Sequence, residues 1–238
     1  MKVLSIDSST ASATCAVVED GKLLGEIVLN DKKQHSVILM PIIDSLLNNL
    51  KLNINDIDGF VVSSGPGSFT GLRIGMATAK GLAQANNKPF IGVSSLDALA
   101  FNLAYTSGLI CPILDALRDN VYTALYSFSD GNLKRVSDYM AIHIDELISI
   151  IKENSPSSIT FIGDAVPKFK DKLEENFHNV IFAPAHLNLA RASSLGELGL
   201  IKLREGHEDD LLTFSPIYIR KSQAEREYEE KTGVSVDG

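Results

Sequence analysis

Val3-Leu4-Ser5-Ile6-Asp7-Ser8-Ser9-Thr10 reads as a short apolar strand that ends in a carboxylate and turns on clustered hydroxyls. Residues 14–18 resume strand character, Glu19-Asp20-Gly21-Lys22 is a hairpin turn, and 23–29 return as a third strand, so a β-meander opens the chain. Farther out, Leu39, Ile42, Ile43, Leu46, Leu47 and Leu50 recur at spacings of three and four, which predicts an amphipathic helix over 35–50. Pro41 falls inside it, so the helix either starts near Ser36 or kinks at the proline. A buried-type strand at 59–62, a helix over 72–85, a strand at 88–93 and a helix over 96–105 complete a β-β-β-α-β-α-β-α run. The second half repeats that order. Residues 109–115 form an apolar strand ending in Asp115, followed by strands at 121–128 and 133–139, a helix over 144–153, a strand at 159–162 and a helix over 168–176. A strand at 180–182, a helix over 189–204 and a strand-like 216–220 close the pass. Duplication with an Asp at each first turn predicts an α/β protein of two similar lobes instead of one doubly wound sheet. The expected divisions are 1–106, a smaller lobe over 107–221, and a polar tail over 222–238 that frays past Glu230.

Composition narrows the function classes. The 22 Lys and Arg against 30 Asp and Glu leave a net charge of −8, which lacks the electrostatic footprint of a chain that grips nucleic acid by itself. Cys15 and Cys111 each sit in an apolar run and read as buried small hydrophobes of a reducing compartment, so a cytoplasmic location is expected. No apolar stretch approaches the roughly 18 residues of a membrane helix, and Asp7 interrupts the place where a signal peptide needs its apolar region.

The most specific local feature is Gly65-Pro66-Gly67-Ser68-Phe69-Thr70-Gly71, between a buried strand and a helix. Its backbone N–H groups, with the helix N-terminus, could face a phosphate or carboxylate; equally, it is a structural turn capped by Ser68 or Thr70. It is no Walker A loop, because no Gly-Lys-Ser/Thr follows, and its spacing is wrong for a dinucleotide fingerprint. The Asp7–Thr10 turn either supports Mg²⁺ through water or is capped by Asp7. Asp115 matches Asp7, and two strand-end carboxylates facing a cleft suit phosphoryl transfer, yet Ala116-Leu117-Arg118 supplies no glycine there. The histidines, His35, His143, His178, His186 and His207, show no helical metal-ligand spacing, and no Gly-x-Ser-x-Gly elbow or Cys–His proximity supports nucleophilic catalysis. His35 reads as a surface or capping residue.

Ile6-Asp7-Ser8-Ser9-Thr10, His35-Ser36, Ser64 through Gly75, Ala79-Lys80-Gly81, Leu114-Asp115-Ala116-Arg118 and Pro216 through Arg220 together resemble the TsaB (YeaZ) family over nearly the whole chain. The resemblance implies duplicated RNase H-like lobes in an actin/Hsp70/sugar-kinase-like (ASKHA) fold. It implies a non-catalytic scaffold or activator in the making of N6-threonylcarbamoyladenosine beside the anticodon of tRNAs that read codons beginning with A. The implied partners are a catalytic paralogue, TsaD, and a small ATPase, TsaE, with a homodimer when alone and tRNA reached only through the complex. ATP or ADP and metal are expected on the partners, with no cofactor required and no metal held by this chain. Asp7, Ser8, Ser9, Thr10, Gly65, Pro66, Gly67, Ser68, Phe69, Thr70 and Asp115 then match a remnant nucleotide cleft. The alternative is an autonomous ATPase or kinase, or a glycoprotease, of the same fold; the former needs two intact glycine loops and the latter clustered ligands.

The same reading predicts a subunit interface on two helices. Gly71, Leu72, Gly75, Met76, Ala79, Leu82 and Ala83 form an apolar or small arc wider than the roughly 100° that covers one sheet, and Leu39, Ile43, Leu46, Leu47 and Leu50 form a second. Small residues every fourth position let another helix approach closely. The pair is expected to leave apolar surface for a like pair on another chain, although mutual cover within one chain is the plainer reading.

Overall fold

The computed structural model describes residues 1–30, 34–220, 228 and 231–233. The expected tail over 222–238 lies almost wholly outside them. β1 (Lys2–Asp7), β2 (Ala13–Glu19) and β3 (Lys22–Leu29) form the antiparallel meander, and β4 (Gly59–Gly65) and β5 (Phe90–Ser94) add in parallel, in the order β3-β2-β1-β4-β5. The second sheet repeats this order as β10-β7-β6-β11-β12, from β6 (Leu109–Asp115), β7 (Asn120–Thr123), β10 (Met140–His143), β11 (Ile159–Ile162) and β12 (Val180–Phe182). Between β7 and β10, a hairpin of β8 (Tyr126–Ser129) and β9 (Asn132–Arg135) pairs with the start of β6.

That hairpin corrects the expected strands at 121–128 and 133–139. The first run breaks at Ala124-Leu125, where Leu125 leaves the ladder to pair through its N–H with Ser137 Oγ (2.9 Å) and through its carbonyl with the Val136 N–H (2.8 Å). The third strand of the copied meander is therefore β10.

α1 (His35–Leu50) runs through Pro41, and Pro41 and Val37 are both exposed, so the carbonyl that the proline leaves unpaired faces water. α2 (Phe69–Asn86) starts on Ser68, whose hydroxyl accepts from the Gly71 N–H at 3.2 Å, the cap that the sequence suggested. These two helices cover one face of the first sheet in a core of Leu4, Ile6, Phe60, Leu39, Ile43 and Ala79. α3 (Ser95–Phe101) presents Leu96 and Leu99 to Ile110, Leu114 and Tyr126 of the second lobe, whose own core lies under α4 (Ile144–Asn154) and α5 (Val166–Asn176).

α6 (Ala192–Arg204) goes back to the first lobe, so the expected division at 107–221 does not describe where α6 packs. Ser5 Oγ donates to the Ala192 carbonyl at 2.6 Å, and the Glu26 carboxylate accepts from Arg191 Nε (2.9 Å), the Ser193 N–H (3.0 Å) and Ser193 Oγ (2.8 Å). Gly199 is needed for this seat: a Cβ there would stand 2.4 Å from Val61 Cγ1. Residues 216–220, expected as a strand, join no strand ladder; the Ile217 N–H donates to Ser64 O of β4 at 2.7 Å.

Candidate functional site

The strand-end turns of the two lobes face each other across a cleft of about 600 Å³. Ser9, Thr10, Gly67, Ser68, Phe69, Thr70 and Asp115, all singled out in the sequence, line it. Asp7, Ser8, Gly65 and Pro66 lie behind the lining, and all are buried. His35, Tyr122, Asp164 and Arg220 join the lining although the sequence offered no chemistry for them. Asp164 lies in the turn between β11 and α5, and Arg220 arrives from a segment far along the chain.

The first-lobe wall is packed from within. Ser9 O accepts from the Ser68 N–H at 2.7 Å, and Ser8 Oγ donates to Gly71 O at 2.8 Å. A Cβ on Gly67 would meet Ser9 O at 2.3 Å, on Gly71 Ser8 O at 2.0 Å, and on Gly75 Ser8 Oγ at 2.4 Å. The glycines therefore admit the close approach of the Asp7–Thr10 turn to the loop and to the start of α2. His35 Nε2 lies 2.8 Å from Thr10 O, so the ring ties the start of α1 to the same turn; it faces the cleft and is not a plain surface residue.

Asp7 caps its own turn by accepting from the Ser9 N–H through Oδ1 at 2.8 Å, while Oδ2, Ser9 Oγ and His35 Nδ1 are buried without a partner among the described residues. Burial raises the Asp7 carboxyl above the ordinary carboxylate range, against the opposing pull of neighbouring Ser9 and His35. Among the described residues no group of three His, Cys, Asp or Glu is placed to hold a metal ion.

Across the cleft, Asp115 accepts from the Leu117 N–H at 3.1 Å and lies 3.5 Å from Lys168 Nζ, and its own N–H donates to Asp164 Oδ1 at 2.9 Å. Leu117, Arg118 and Asp119 follow in the left-handed region at φ 63°, 52° and 57°, a conformation that costs non-glycine residues roughly 1 kcal/mol or more each. Asn120 Nδ2 holds the turn by donating to Leu117 O (3.2 Å) and Arg118 O (2.9 Å). The second half-site is thus a self-closed turn.

Ten of the twelve expected interface residues are buried within the chain, and the other two are half-buried. Leu39, Ile43, Leu46, Leu47, Gly71, Leu72, Gly75, Met76, Ala79 and Ala83 are buried within the chain, and Leu50 and Leu82 pack on the edge of the same core. The plainer reading holds: α1, α2 and the sheet consume both arcs. Among the polar residues that α1 and α2 leave outside, such as Asp44, Asn48, Arg73 and Gln84, stand Val37 (65% exposed), Met40 (47%), Pro41, Ala77 and Gly81, where a Cβ would meet nothing within 4 Å. The thiols of Cys15 and Cys111 are buried and pushed up to about 12, mainly by burial, which leaves them chemically quiet. No helix among the described residues is long and apolar enough to cross a membrane.

Two lobes that repeat one five-strand order and face each other across their strand-end turns define the bilobal actin and sugar-kinase-like class of α/β proteins. An activator of 2-hydroxyisocaproyl-CoA dehydratase from Clostridium difficile, solved with ADPNP bound, shares the fold at a TM-score of 0.50 and 9% identity, covering 88% of this chain and 99% of that one. YeaZ from Pseudomonas aeruginosa shares it more fully, at a TM-score of 0.75 and 20% identity over 91% of this chain and 99% of that one. In sequence, residues 22–228 match the family described as TsaD: tRNA N6-adenosine threonylcarbamoyltransferase. The tRNA threonylcarbamoyladenosine biosynthesis protein TsaB of Bacillus subtilis is 34% identical over 96% of this chain and 98% of its own length. The chain belongs to the TsaB (YeaZ) family.

Proposed function

We propose that this chain serves tRNA threonylcarbamoyladenosine biosynthesis as a non-catalytic subunit that pairs, through the outer edge of α1 and α2, with a catalytic paralogue of the TsaD type. Family membership supports the pathway. The subunit role rests on one observation above the others: Ser8 and Ser9 fill the glycine loop from within, so the wall that would cradle phosphates is occupied by the chain's own backbone. The opposite turn, closed by Asn120, points the same way. ATP or ADP and metal then belong to the partners, TsaE among them; tRNA is reached through the assembled complex, and the free chain pairs with a second copy of itself.

The pairing face is supported by exposed apolar or small residues on both helices, Val37 and Met40 on α1 and Ala77 and Gly81 on α2. Gly81 costs a helix interior roughly 1 kcal/mol relative to Ala, and no contact within the chain requires it. A helix from another chain, seated close to the backbone, supplies a reason. Glutamate at Ala79 or Ala83 would unfold the core, so the test uses the exposed edge. Val37→Asp and Ala77→Glu should leave the melting temperature near that of the wild type yet abolish co-purification with the paralogue, and cells depleted of the chain should lose threonylcarbamoyladenosine from tRNA. Normal co-purification of both variants, with modification intact after depletion, refutes the proposal.

A further inference from the structure

After α6 the chain crosses the first lobe without helix or strand, held at discrete points. Asp209 docks on the free edge of β5: its N–H donates to Phe90 O and its Oδ2 accepts from the Gly92 N–H, each at 2.8 Å. Asp210 Oδ1 then accepts from the Leu212 N–H, the Thr213 N–H and Thr213 Oγ1 at 2.9, 2.8 and 2.9 Å, a tight turn that aims Phe214 back at the sheet. The Phe214 ring meets Phe90 edge-on at 5.6 Å and fills the space over Gly92, where a Cβ would lie 2.2 Å from Cζ. Lys80 Nζ donates to Phe214 O at 2.7 Å, and the Ile217 N–H to Ser64 O at 2.7 Å.

The last residues of this run reach both rims of the cleft. Tyr218 stacks flat on Phe69 of the glycine loop (4.7 Å between centroids, 5° between planes), and Arg73 Nε donates to its hydroxyl at 3.1 Å. Two residues on, Arg220 donates to Ala116 O in the second lobe and lines the cleft. Leu212 is 88% exposed and Tyr218 41%, so the outer side of the run faces solvent. Neither end of this path is tied into a sheet ladder, and such point-by-point docking can release as a unit at less cost than unfolding a lobe.

We propose that residues 209–220 are a detachable strap that closes the inter-lobe cleft, seated by the Phe214 ring in the socket that glycine at position 92 leaves open. Docked, it joins the Phe69 rim to the Ala116 rim; released, it lets the turn at 115–120 move away from the glycine loop. The device acts whatever enters the cleft and does not depend on the pairing proposed above.

The chain contains no tryptophan, so Tyr218→Trp places a single indole on Phe69 as a reporter of docking. In full-length protein carrying it, Gly92→Val should expel Phe214, shift the indole emission to the red and raise its quenching by acrylamide. Amide exchange at 115–120 and 65–70 should then quicken by about tenfold or more while β1 and β4 stay protected. An indole that stays docked in Gly92→Val overturns the seating, and a released indole with unchanged exchange at 115–120 overturns the closure. Should Gly92→Val fail to fold, Arg220→Gln removes the donor to Ala116 O and leaves the Phe214 socket as it is. Exchange at 115–120 must rise with the indole still stacked, and unchanged exchange refutes the strap.

Discussion

Two glycines on α2 have opposite surroundings, and alanine at each distinguishes a loop filled by protein from one left open for a ligand. In a helix interior, Gly→Ala gains roughly 0.5–1 kcal/mol from backbone entropy. At Gly81 a Cβ meets nothing within 4 Å, so the gain should appear in full. For a chain of this size that raises the melting temperature by roughly 2–4 °C per kcal/mol. At Gly71 the same Cβ would lie 2.0 Å from Ser8 O and 3.4 Å from His35 Cδ2. Ser8 O belongs to the backbone of the turn after β1, and retreat would break the Ser8 Oγ to Gly71 O and Ser68 N–H to Ser9 O hydrogen bonds. Overpacking costs roughly 1–3 kcal/mol, and each broken hydrogen bond about 1 kcal/mol more, against a propensity gain below 1. Gly71→Ala should therefore lower stability by roughly 2–4 kcal/mol, or about 4–16 °C. Thermal and urea unfolding of the pair, followed by circular dichroism, measures both. If Gly71→Ala melts within a degree or two of Gly81→Ala, the Ser8 turn does not press on Gly71, and the loop is not closed by the chain's own backbone.

Asp7→Asn should make the protein more stable at neutral pH and leave it about equal at acid pH. The Asp7 carboxyl is raised above its unfolded value, so its contribution is full below the unfolded pKa and is lost as pH rises through the folded one. The difference between variant and wild type should therefore open above about pH 4 at up to roughly 1.4 kcal/mol per pH unit, read from melting temperature against pH. Glu26→Ala strands Arg191 and Ser193 at the start of α6; because Arg191 is partly exposed, the cost should fall near 3 kcal/mol, roughly 6–12 °C in a melt, and Glu26→Gln should recover part of it. The isolated chain should bind tRNA only weakly at about 150 mM salt, because backbone affinity comes from counterion release by Lys and Arg and the net charge is −8. A gel shift showing submicromolar binding contradicts that account.

Much of the architecture was legible because its determinants are local. Alternating and three-four apolar spacings marked the strands and helices, Ser68 was visible as a cap, and the recurrence of a strand ending in Asp at Asp7 and Asp115 exposed the duplication before any contact was known. The glycine run was visible as a place of close approach, but glycine records only that something comes near. Whether a ligand or Ser8 O fills the space depends on how β1 sits against α2, a contact across more than sixty residues of chain. For the same reason the wide apolar arcs on α1 and α2 pointed to a second chain although the first sheet covers them: periodicity measures how much surface must be buried and not by what. The third strand of the second meander moved to β10 because Leu125 found Ser137 Oγ and the Val136 N–H outside the ladder. The fold of α6 onto the first lobe, with Arg220 carried into the cleft behind it, rests on Glu26, Ser5 and Val61, partners more than 130 residues away whose burial no local pattern encodes.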